Sequence, residues 1–257
     1  MAKLTPQSHE EQIWKYVKAR ALFHRAWNHF NLLVLFGAYP DGGNDADKGI
    51  PIRRESDISV PVSRSSPETV VQFILQDLEQ AIELFDENIR PIERPSKYSA
   101  LSLLARVNLY ITAYEKAWYY AKLALDRPHQ LIDFNTLNLI ATYPFPAYGL
   151  GNSEVIFNAW IPTVASFAQN RLCVDSTLVA LYEDGDCRKT AYLRSLDNNQ
   201  FTFRGSYVGS ILPFAGISLN ETYMIAMESA AQINNIEDGL SLYNELRSKR
   251  ISPITFQ

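Results

Sequence analysis

The stretch KYSALSLLARVNLYITAYEKAWYYAKLALD, residues 97–126, decides the fold. Its apolar residues recur at helical intervals on both sides of a short link near Ala113, so the sequence predicts two consecutive helices at about 97–112 and 114–126. Pro128 follows closely, and it ends the second helix because proline cannot continue one. We expect two helices joined by so short a link to be antiparallel.

This predicted pair matches the tetratricopeptide pattern, in which small residues let two antiparallel helices approach each other closely. The first helix has its large–large–small set at Leu101, Leu104 and Ala105. The second helix has its matching residues at Tyr114, Ala117, Ala121 and Ala124. Asn108 departs from the usual aromatic residue, and Pro128 comes one residue early. Stacked pairs of this kind are the predicted core of the protein.

Two more helices are expected before this pair. Apolar residues at helical spacing begin at Ile13, and the helix should end at Gly37. Its predicted buried stripe is Ile13, Tyr16, Val17, Trp27, Phe30 and Val34. The next helix begins after SSPE, residues 65–68, where a serine can cap the first turn. Its predicted stripe is Val70, Val71, Ile74, Leu78, Ala81, Ile82 and Phe85.

A second, more degenerate helix pair is predicted at about 220–250, around the Asn234-Asn235 turn. Its apolar residues at helical intervals are Met224, Met227, Ala231, Ile236, Leu240, Tyr243 and Leu246. The stretch between the pairs is rich in Gly, Pro and aromatic residues, with β-prone runs at 155–157 and 201–203 and a short helix near 176–182. We therefore predict a mainly α protein of tetratricopeptide-like helical repeats. It would be a single domain, residues 1–257, whose helical scaffold at 10–130 and 220–251 carries a loop-rich lobe with a few short strands at 131–219.

Composition argues against several classes of protein. The formal net charge is −4 and the Lys and Arg residues are scattered, so we expect no nucleic-acid partner. We find no apolar run long enough to span a membrane, and the polar residues 1–12 do not resemble a signal peptide. Cys173 and Cys187 are too few for a disulfide framework, and a bridge between them would require an exported protein.

Several stretches form a further pattern along the chain. In order they are ARALFHRAWNHFNL (19–32), LFG (35–37), YP (39–40), SVPVSRSSPE (59–68), DLEQA (77–81), ALSLLARVNLY (100–110), YEKA (114–117), SEVIF (153–157), DCR (186–188), ETYM (221–224) and LRSKR (246–250). They resemble the SusD/RagB family of outer-membrane nutrient-binding lipoproteins, and the resemblance covers nearly the whole chain.

The resemblance implies a SusD-like α-α superhelix that binds an oligosaccharide or another nutrient without catalysis. It also implies delivery of that nutrient to a SusC-type TonB-dependent transporter at the cell surface of the outer membrane. Members of the family are considerably longer and begin with a lipoprotein signal and an acylated cysteine. Attachment to the membrane through a lipid is therefore implied by the resemblance and is not encoded in these residues.

The residues give no pattern for an enzyme, a cofactor or a metal site. His24 and His29 are five residues apart, which points them to different faces of a helix. An oxygen-rich cluster at Asp41, Asn44, Asp45 and Asp47 could hold calcium, but Ala46 and Ile52 stand where a calcium loop needs glycine and glutamate. A solvated turn is therefore favoured there, as it is at 184–186. A glycan-processing enzyme stays open as a weaker alternative, because its two carboxylates can lie far apart in sequence.

Aromatic residues are the candidates for glycan binding, since sugar rings stack on exposed Trp and Tyr. Trp14, Trp27, Trp118 and Tyr110 lie on helical stripes and are expected to be buried. The candidate ligand-binding residues are Trp160, Tyr143, Tyr148, Phe167, Asn158 and Asn170, with Trp160 as the stacking platform. The main alternative function is an interaction scaffold without a small ligand, which would show an apolar groove along the helix pairs. An incomplete stack with an uncapped apolar face could also dimerise.

Overall fold

The computed structural model describes residues 10–40, 48–87, 91–162, 172–196, 200–205, 207–210 and 212–252. Within these ranges the chain forms eight α-helices and four short β-strands, which confirms the mainly helical prediction. The chain divides into two compact units, Met1–Asp126 and Arg127–Gln257. The two predicted helix pairs fall in different units, and the single domain with its lobe boundaries stays a prediction.

The first unit contains α1 (Glu11–Phe36), α2 (Pro67–Leu84), α3 (Lys97–Tyr110) and α4 (Tyr114–Leu125). Consecutive helices pack on one another, α1 on α2, α2 on α3 and α3 on α4. The Ser66 side chain caps α2 by accepting a hydrogen bond from the Thr69 backbone N–H, and Ser96 and Ser99 cap α3 reciprocally. The helix starts predicted from the sequence are confirmed.

The α3–α4 pair packs as the repeat pattern predicted. Leu101, Leu104 and Ala105 are buried on α3, and Ala117, Ala121 and Ala124 are buried on α4. The link between the helices turns at Thr112, which has a left-handed φ of 57°. Asn108, where the pattern expects an aromatic residue, is buried and donates a hydrogen bond from Nδ2 to the Leu104 carbonyl. Its amide N–H is thus bonded within its own helix, whereas its Oδ1 finds no hydrogen-bond partner among the described residues.

The buried stripe of α1 differs from the prediction. Ile13, Val17 and Val34 are exposed, whereas the buried residues are Ala19, Leu22, Phe23, Ala26, His29, Phe30 and Leu33. Both stripes have helical spacing, so periodicity alone could not separate them. The small residues Ala19 and Ala26 belong to the observed stripe, and small side chains let two helices approach closely. The α2 stripe is confirmed apart from Ile82, which is only half-buried.

The large aromatic residues of the first unit are also less buried than expected. Trp14, Trp27, Trp118 and Tyr110 are half-buried. Trp27 lies beneath the Arg106 guanidinium, 5.2 Å from the ring centroid, and Trp118 lies 5.5 Å from the Lys122 ammonium. A cation can cover one ring face without burying it in the core, because it is attracted to the ring electrons.

A partly buried ion pair joins α1 to α2. Arg25 donates to both carboxylate oxygens of Asp77, from Nε at 2.6 Å and from Nη2 at 2.7 Å. This hydrogen bonding raises the pKa of Arg25. His29, which is buried, donates from Nδ1 to the Arg25 carbonyl and accepts at Nε2 from the Arg53 N–H, as expected for a histidine that packs rather than binds a metal.

The second unit holds the strands. Its elements are β1 (Val155–Phe157), α5 (Ser176–Ala180), α6 (Cys187–Tyr192), β2 (Leu193–Ser195), β3 (Phe201–Phe203), β4 (Ile217–Ser218), α7 (Leu219–Gln232) and α8 (Ile236–Ser248). β1 pairs antiparallel with β4, and β2 pairs antiparallel with β3. The strands at 155–157 and 201–203 and the helix near 176 are confirmed, whereas α6, β2 and β4 were not predicted. The turn at 184–186 is confirmed by the left-handed φ of 83° at Gly185.

The α7–α8 pair forms around Asn234, which has a left-handed φ of 61°. Its buried side is not the stripe seen in the sequence. Of that stripe, Leu246 is buried and Met227 half-buried, whereas Met224, Ala231, Ile236, Leu240 and Tyr243 are exposed. The buried residues of α7 are instead Leu219, Thr222, Tyr223, Ile225, Ala226, Ser229 and Ala230. α7 therefore carries apolar side chains on two faces.

Candidate functional site

The backbone around Trp160 is held on both sides by a continuation of the β1–β4 ladder. Trp160 forms an isolated antiparallel bridge with Phe214. The Ala215 N–H donates to the Ala159 carbonyl at 2.9 Å, and the Ile161 N–H donates to the Pro213 carbonyl at 3.0 Å. Backbone pairing of this kind fixes the direction in which a side chain leaves the chain. The indole of Trp160 is 45% exposed.

Tyr148 lies beside Trp160 on a turn of unusual backbone geometry. Its φ is 55°, and Gly149 and Gly151 that follow it also have left-handed values. The two aromatic ring centroids are 6.2 Å apart, with 53° between the ring planes. Tyr148 is 54% exposed. We call the exposed pair Tyr148 and Trp160 the aromatic platform.

The left-handed conformation of Tyr148 is maintained by hydrogen bonds. Asn158 donates from Nδ2 to the Tyr148 carbonyl at 2.8 Å, and the Gly149 N–H donates to the Val208 carbonyl at 3.2 Å. A non-glycine residue in this region costs about 1–2 kcal/mol, and such strain persists only where surrounding contacts fix the backbone. The turn is therefore built to hold Tyr148 next to Trp160.

Asn158 has a different place from the one expected of a ligand-binding residue. Its side chain is buried. Its Nδ2 makes the bond to Tyr148, whereas its Oδ1 finds no hydrogen-bond partner among the described residues. Gly149 lies so close that a Cβ there would stand 3.4 Å from this oxygen. Asn158 thus positions the turn that carries Tyr148. The sequence showed Asn158 next to aromatic residues, but it did not show that Asn158 bonds to the backbone of Tyr148, ten residues earlier.

Three candidates remain, of which only Tyr143 lies in the described part of the chain. Tyr143 is half-buried and packs against Gly205, where an added Cβ would stand 3.0 Å from the tyrosine ring. Phe167 and Asn170 lie outside the described residues, as does the acidic cluster at 41–47. Of the four candidates that the structure describes, it brings together Trp160, Tyr148 and Asn158.

An aromatic cluster lies behind the platform in the second unit. Phe214, the bridge partner of Trp160, contacts Tyr207 with ring centroids 5.7 Å apart, and Tyr207 also contacts Phe145 and Tyr192. Burial raises the pKa of Tyr192 to about 12 and raises the pKa of Tyr207 well above its ordinary value. Both hydroxyls therefore keep their protons at neutral pH and can donate hydrogen bonds.

Glu154, just before β1, fixes the base of the strand. It is fully buried, and its carboxylate accepts from Arg250 Nη2 at 2.6 Å, from the Ile132 N–H at 2.7 Å and from the Tyr207 hydroxyl at 2.8 Å. Its own carbonyl accepts from the Leu219 N–H at 2.7 Å. We call Glu154, Arg250 and Tyr207 the polar hub. The sequence offered no signal for it, because its members lie far apart in the chain.

The described residues offer no other evident chemical centre. Within these ranges no group of three His, Cys, Asp or Glu side chains could hold a metal ion. Cys173 is exposed and Cys187 is buried, and both are free thiols, so the possible bridge between them is not formed. None of the described helices combines the length and the apolar composition needed to cross a membrane.

Comparison with known proteins shows which families and folds this chain resembles. A family described as "SusD-like_3: Starch-binding associating with outer membrane" matches residues 2–109. No curated protein matches the chain. Among solved structures, a SusD superfamily protein from Bacteroides thetaiotaomicron VPI-5482 is 20% identical over 96% of this chain and 61% of its own, with a TM-score of 0.76.

Two further structures are similar. A putative sugar binding protein from Bacteroides vulgatus ATCC 8482 is 21% identical over 100% of this chain and 63% of its own, with a TM-score of 0.75. A laminarin binding SusD-like protein is 18% identical over 98% of this chain and 67% of its own, with a TM-score of 0.65.

The helix pairs and the structural likeness define a SusD-like fold. A SusD-like family model thus matches residues 2–109, in agreement with the resemblance of the sequence stretches, and the neighbours share the fold of nearly the whole chain. The chain spans about three fifths of the length of the first two structures.

Proposed function

We propose that this protein is a non-catalytic glycan-binding protein of the outer-membrane surface, and that the aromatic platform stacks on a sugar ring. The observation that carries the proposal is the exposed Tyr148–Trp160 pair on a backbone fixed by strand pairing and by Asn158. The family description, starch-binding and outer-membrane associated, and the laminarin-binding neighbour support the same class of ligand.

The geometry of the platform suits a carbohydrate. Sugar rings present apolar C–H faces, and aromatic rings bind them with little loss of side-chain entropy when the backbone is already ordered. The two ring planes are inclined by 53°. They therefore fit a glycan in which neighbouring sugar rings are inclined to each other better than they fit a flat, ribbon-like glycan. A curved glucan is therefore the proposed ligand class.

Delivery of the glycan to a SusC-type TonB-dependent transporter at the cell surface, with attachment to the membrane through a lipid, is the further role we propose from the family. It rests on the family match and the resemblance of the sequence stretches. No residue of the chain is assigned to the transporter contact.

The platform is tested by titrating curved glucans (laminarin and malto-oligosaccharides) and a flat one (cello-oligosaccharide) into the protein and its Trp160→Ala variant by calorimetry. We expect binding of a curved glucan, weakened about tenfold or more by the substitution, because loss of a stacking ring removes on the order of 1.5 kcal/mol. Tyr119→Ala is the matched control, since Tyr119 is also an exposed tyrosine but lies on α4. Equal affinity of the Trp160→Ala and Tyr119→Ala variants, or no binding by folded protein, would refute the proposal.

A second candidate function, an interaction scaffold, is favoured by one observation. The exposed apolar residues of α7 and α8 form a groove, which was the feature expected of a scaffold. Groove and platform are both present, so the titration above separates the two functions, because a scaffold without a small ligand would bind no glucan.

A further inference from the structure

The outer side of α7 and α8 forms an apolar groove in the second unit, with a volume of about 510 Å³. Six apolar side chains make most of it: Met224, Met227, Ala231, Ile236, Leu240 and Tyr243. They repeat at i, i+3, i+7 on α7 and at i, i+4, i+7 on α8, so each set forms one stripe along its helix. We call this surface the α7–α8 groove.

The groove is unusual for the surface of a helical protein. Met224 is 54% exposed, Ile236 47%, Leu240 54% and Tyr243 48%. α7 already buries its other apolar face, around Tyr223 and Ala226, so these side chains are not needed for its own packing. Helical repeats bury such faces against a neighbouring repeat, and a repeat that ends a stack normally has a polar outer face. The groove therefore has the character of a surface that packs on other helices.

The shape of the groove is set before any partner binds. Gly239 of α8 faces Ala230 of α7, where an added Cβ would stand only 3.3 Å from the Ala230 Cβ. These small residues let the two helices lie close together, and their longer neighbours form the walls. Two methionines among the walls can adapt to an opposing side chain, because methionine is unbranched and flexible.

The size of the apolar surface matches the centre of a protein interface. Four large side chains, each about half exposed, offer roughly 400 Å² of apolar surface, taking about 200 Å² for a fully exposed side chain. A standard interface buries about 800 Å² on each partner, and its centre is the more apolar part. The groove thus supplies the apolar centre of such an interface, with the rest of the area expected from its polar rim.

The charges at the rim favour a partner that is a copy of the same surface. Arg188, Arg247, Arg250 and Glu228 line the groove. Arg188 is already paired with Asp186 and Arg250 with Glu154, so the charges left for a partner are Glu228 of α7 and Arg247 of α8. Arg247 is only loosely paired with Glu183, at 3.5 Å, and both side chains are largely exposed. A rim with both signs of charge is self-complementary, since a two-fold axis can bring the acid of one copy to the arginine of the other. A strongly acidic or basic partner would not match it.

We propose that the α7–α8 groove binds a second copy of this chain, with two α7–α8 pairs packed face to face around a two-fold axis. Each copy places its Met224 and Leu240 stripes against those of the other, and Glu228 pairs with the other copy's Arg247. The interface is independent of the aromatic platform and goes beyond glycan binding.

The association is tested by sedimentation equilibrium up to about 100 μM, a range that covers weak homodimers. We expect a dimer, and Leu240→Glu should raise its dissociation constant at least about tenfold, because a charge enters the apolar centre of the interface. Met224→Lys, on the other helix, should act in the same direction. Ile140→Glu is the matched control, since Ile140 is 97% exposed and does not line the groove.

A charge reversal tests the two-fold arrangement itself. Glu228→Arg should weaken the dimer, and adding Arg247→Glu should restore it, because the pair is then reversed across the axis. Circular dichroism shows whether each variant is folded. A chain that stays monomeric at about 100 μM, or a dimer that Leu240→Glu and Met224→Lys leave as strong as Ile140→Glu does, overturns the proposal. The groove would then belong to a different polypeptide segment or partner.

Discussion

Different kinds of contact stabilise the interior of each of the two units. In the first, apolar stripes on consecutive helices meet, and Ala19, Val70 and Leu104 are examples of side chains with no exposed surface. In the second, long irregular segments are tied by buried polar side chains, above all Glu154 and Arg250. The difference shows how a chain can build both a helical stack and a loop-rich region.

The polar contacts of the second unit follow from its irregular backbone. Loops leave carbonyl and N–H groups without helix or sheet partners, and buried groups of this kind must be bonded. Arg204 is an example, because it donates to the carbonyls of Leu139, Thr142 and Thr190. Arg250 likewise donates to the Ile132 carbonyl at 2.6 Å. In each case one arginine side chain supplies hydrogen bonds to backbone carbonyls that backbone N–H groups would supply in a helix or a sheet.

The largest effect is expected at the polar hub. Glu154→Gln keeps the shape of the side chain but leaves Arg250 as a buried charge without a carboxylate. Breaking a buried pair in this way costs about 3–5 kcal/mol. Urea unfolding followed by circular dichroism measures the change in the free energy of unfolding.

The double variant Glu154→Gln with Arg250→Met is the control for this effect, since it removes both charges and should regain part of the loss. A single-variant loss below about 1 kcal/mol would show that the hub does not hold the second unit together.

The ion pair of the first unit should matter less. Asp77→Asn also removes a carboxylate from an arginine, but the Arg25 side chain is 32% exposed, whereas Arg250 is 3% exposed. Water can therefore solvate Arg25 once its partner is neutral, and we expect a loss of about 1–3 kcal/mol in the free energy of unfolding. The same urea experiment gives the comparison. A loss equal to that of Glu154→Gln would mean that the difference in burial does not decide how much each ion pair contributes to stability.

The same contrast explains what the sequence could predict. The helix starts after Ser66 and at Lys97, and the small residues of α4, depend on neighbours in the chain, and these predictions are confirmed. The polar hub depends on residues 96 positions apart, for which a single sequence gives no signal. Periodicity also failed where a helix is apolar on more than one face. It selected a stripe of α1 of which only Phe30 is buried, and the largely exposed stripe of α7.

The aromatic platform was predictable only in part. Trp160 and Tyr148 were selected because they lie in a Pro- and Gly-rich segment, and both are exposed. That they lie side by side depends on the left-handed φ of Tyr148 and on the bond from Asn158, neither of which has a sequence signature. Tyr143 was selected by the same reasoning, but its ring packs against Gly205.

The smallest effect we predict is one that should be equal in the two units. Ser66 caps α2 by accepting from the Thr69 N–H, and Ser218 caps α7 by accepting from the Glu221 N–H, both at 3.2 Å and both buried. Replacing such a cap by alanine costs about 1 kcal/mol. We therefore expect Ser66→Ala and Ser218→Ala to lower the free energy of unfolding by similar amounts in urea.

Equal losses would show that local helix chemistry is the same in both units, so that the units differ only in the contacts between distant residues. Ser241→Ala, at an exposed position inside α8 and away from its N-terminus, is the control and should not lower the free energy of unfolding. If Ser218→Ala lowers the free energy of unfolding several times more than Ser66→Ala does, the helices themselves account for part of the difference between the units. Ser218 would then act through β4 as well as through α7, since it is also paired with Val155.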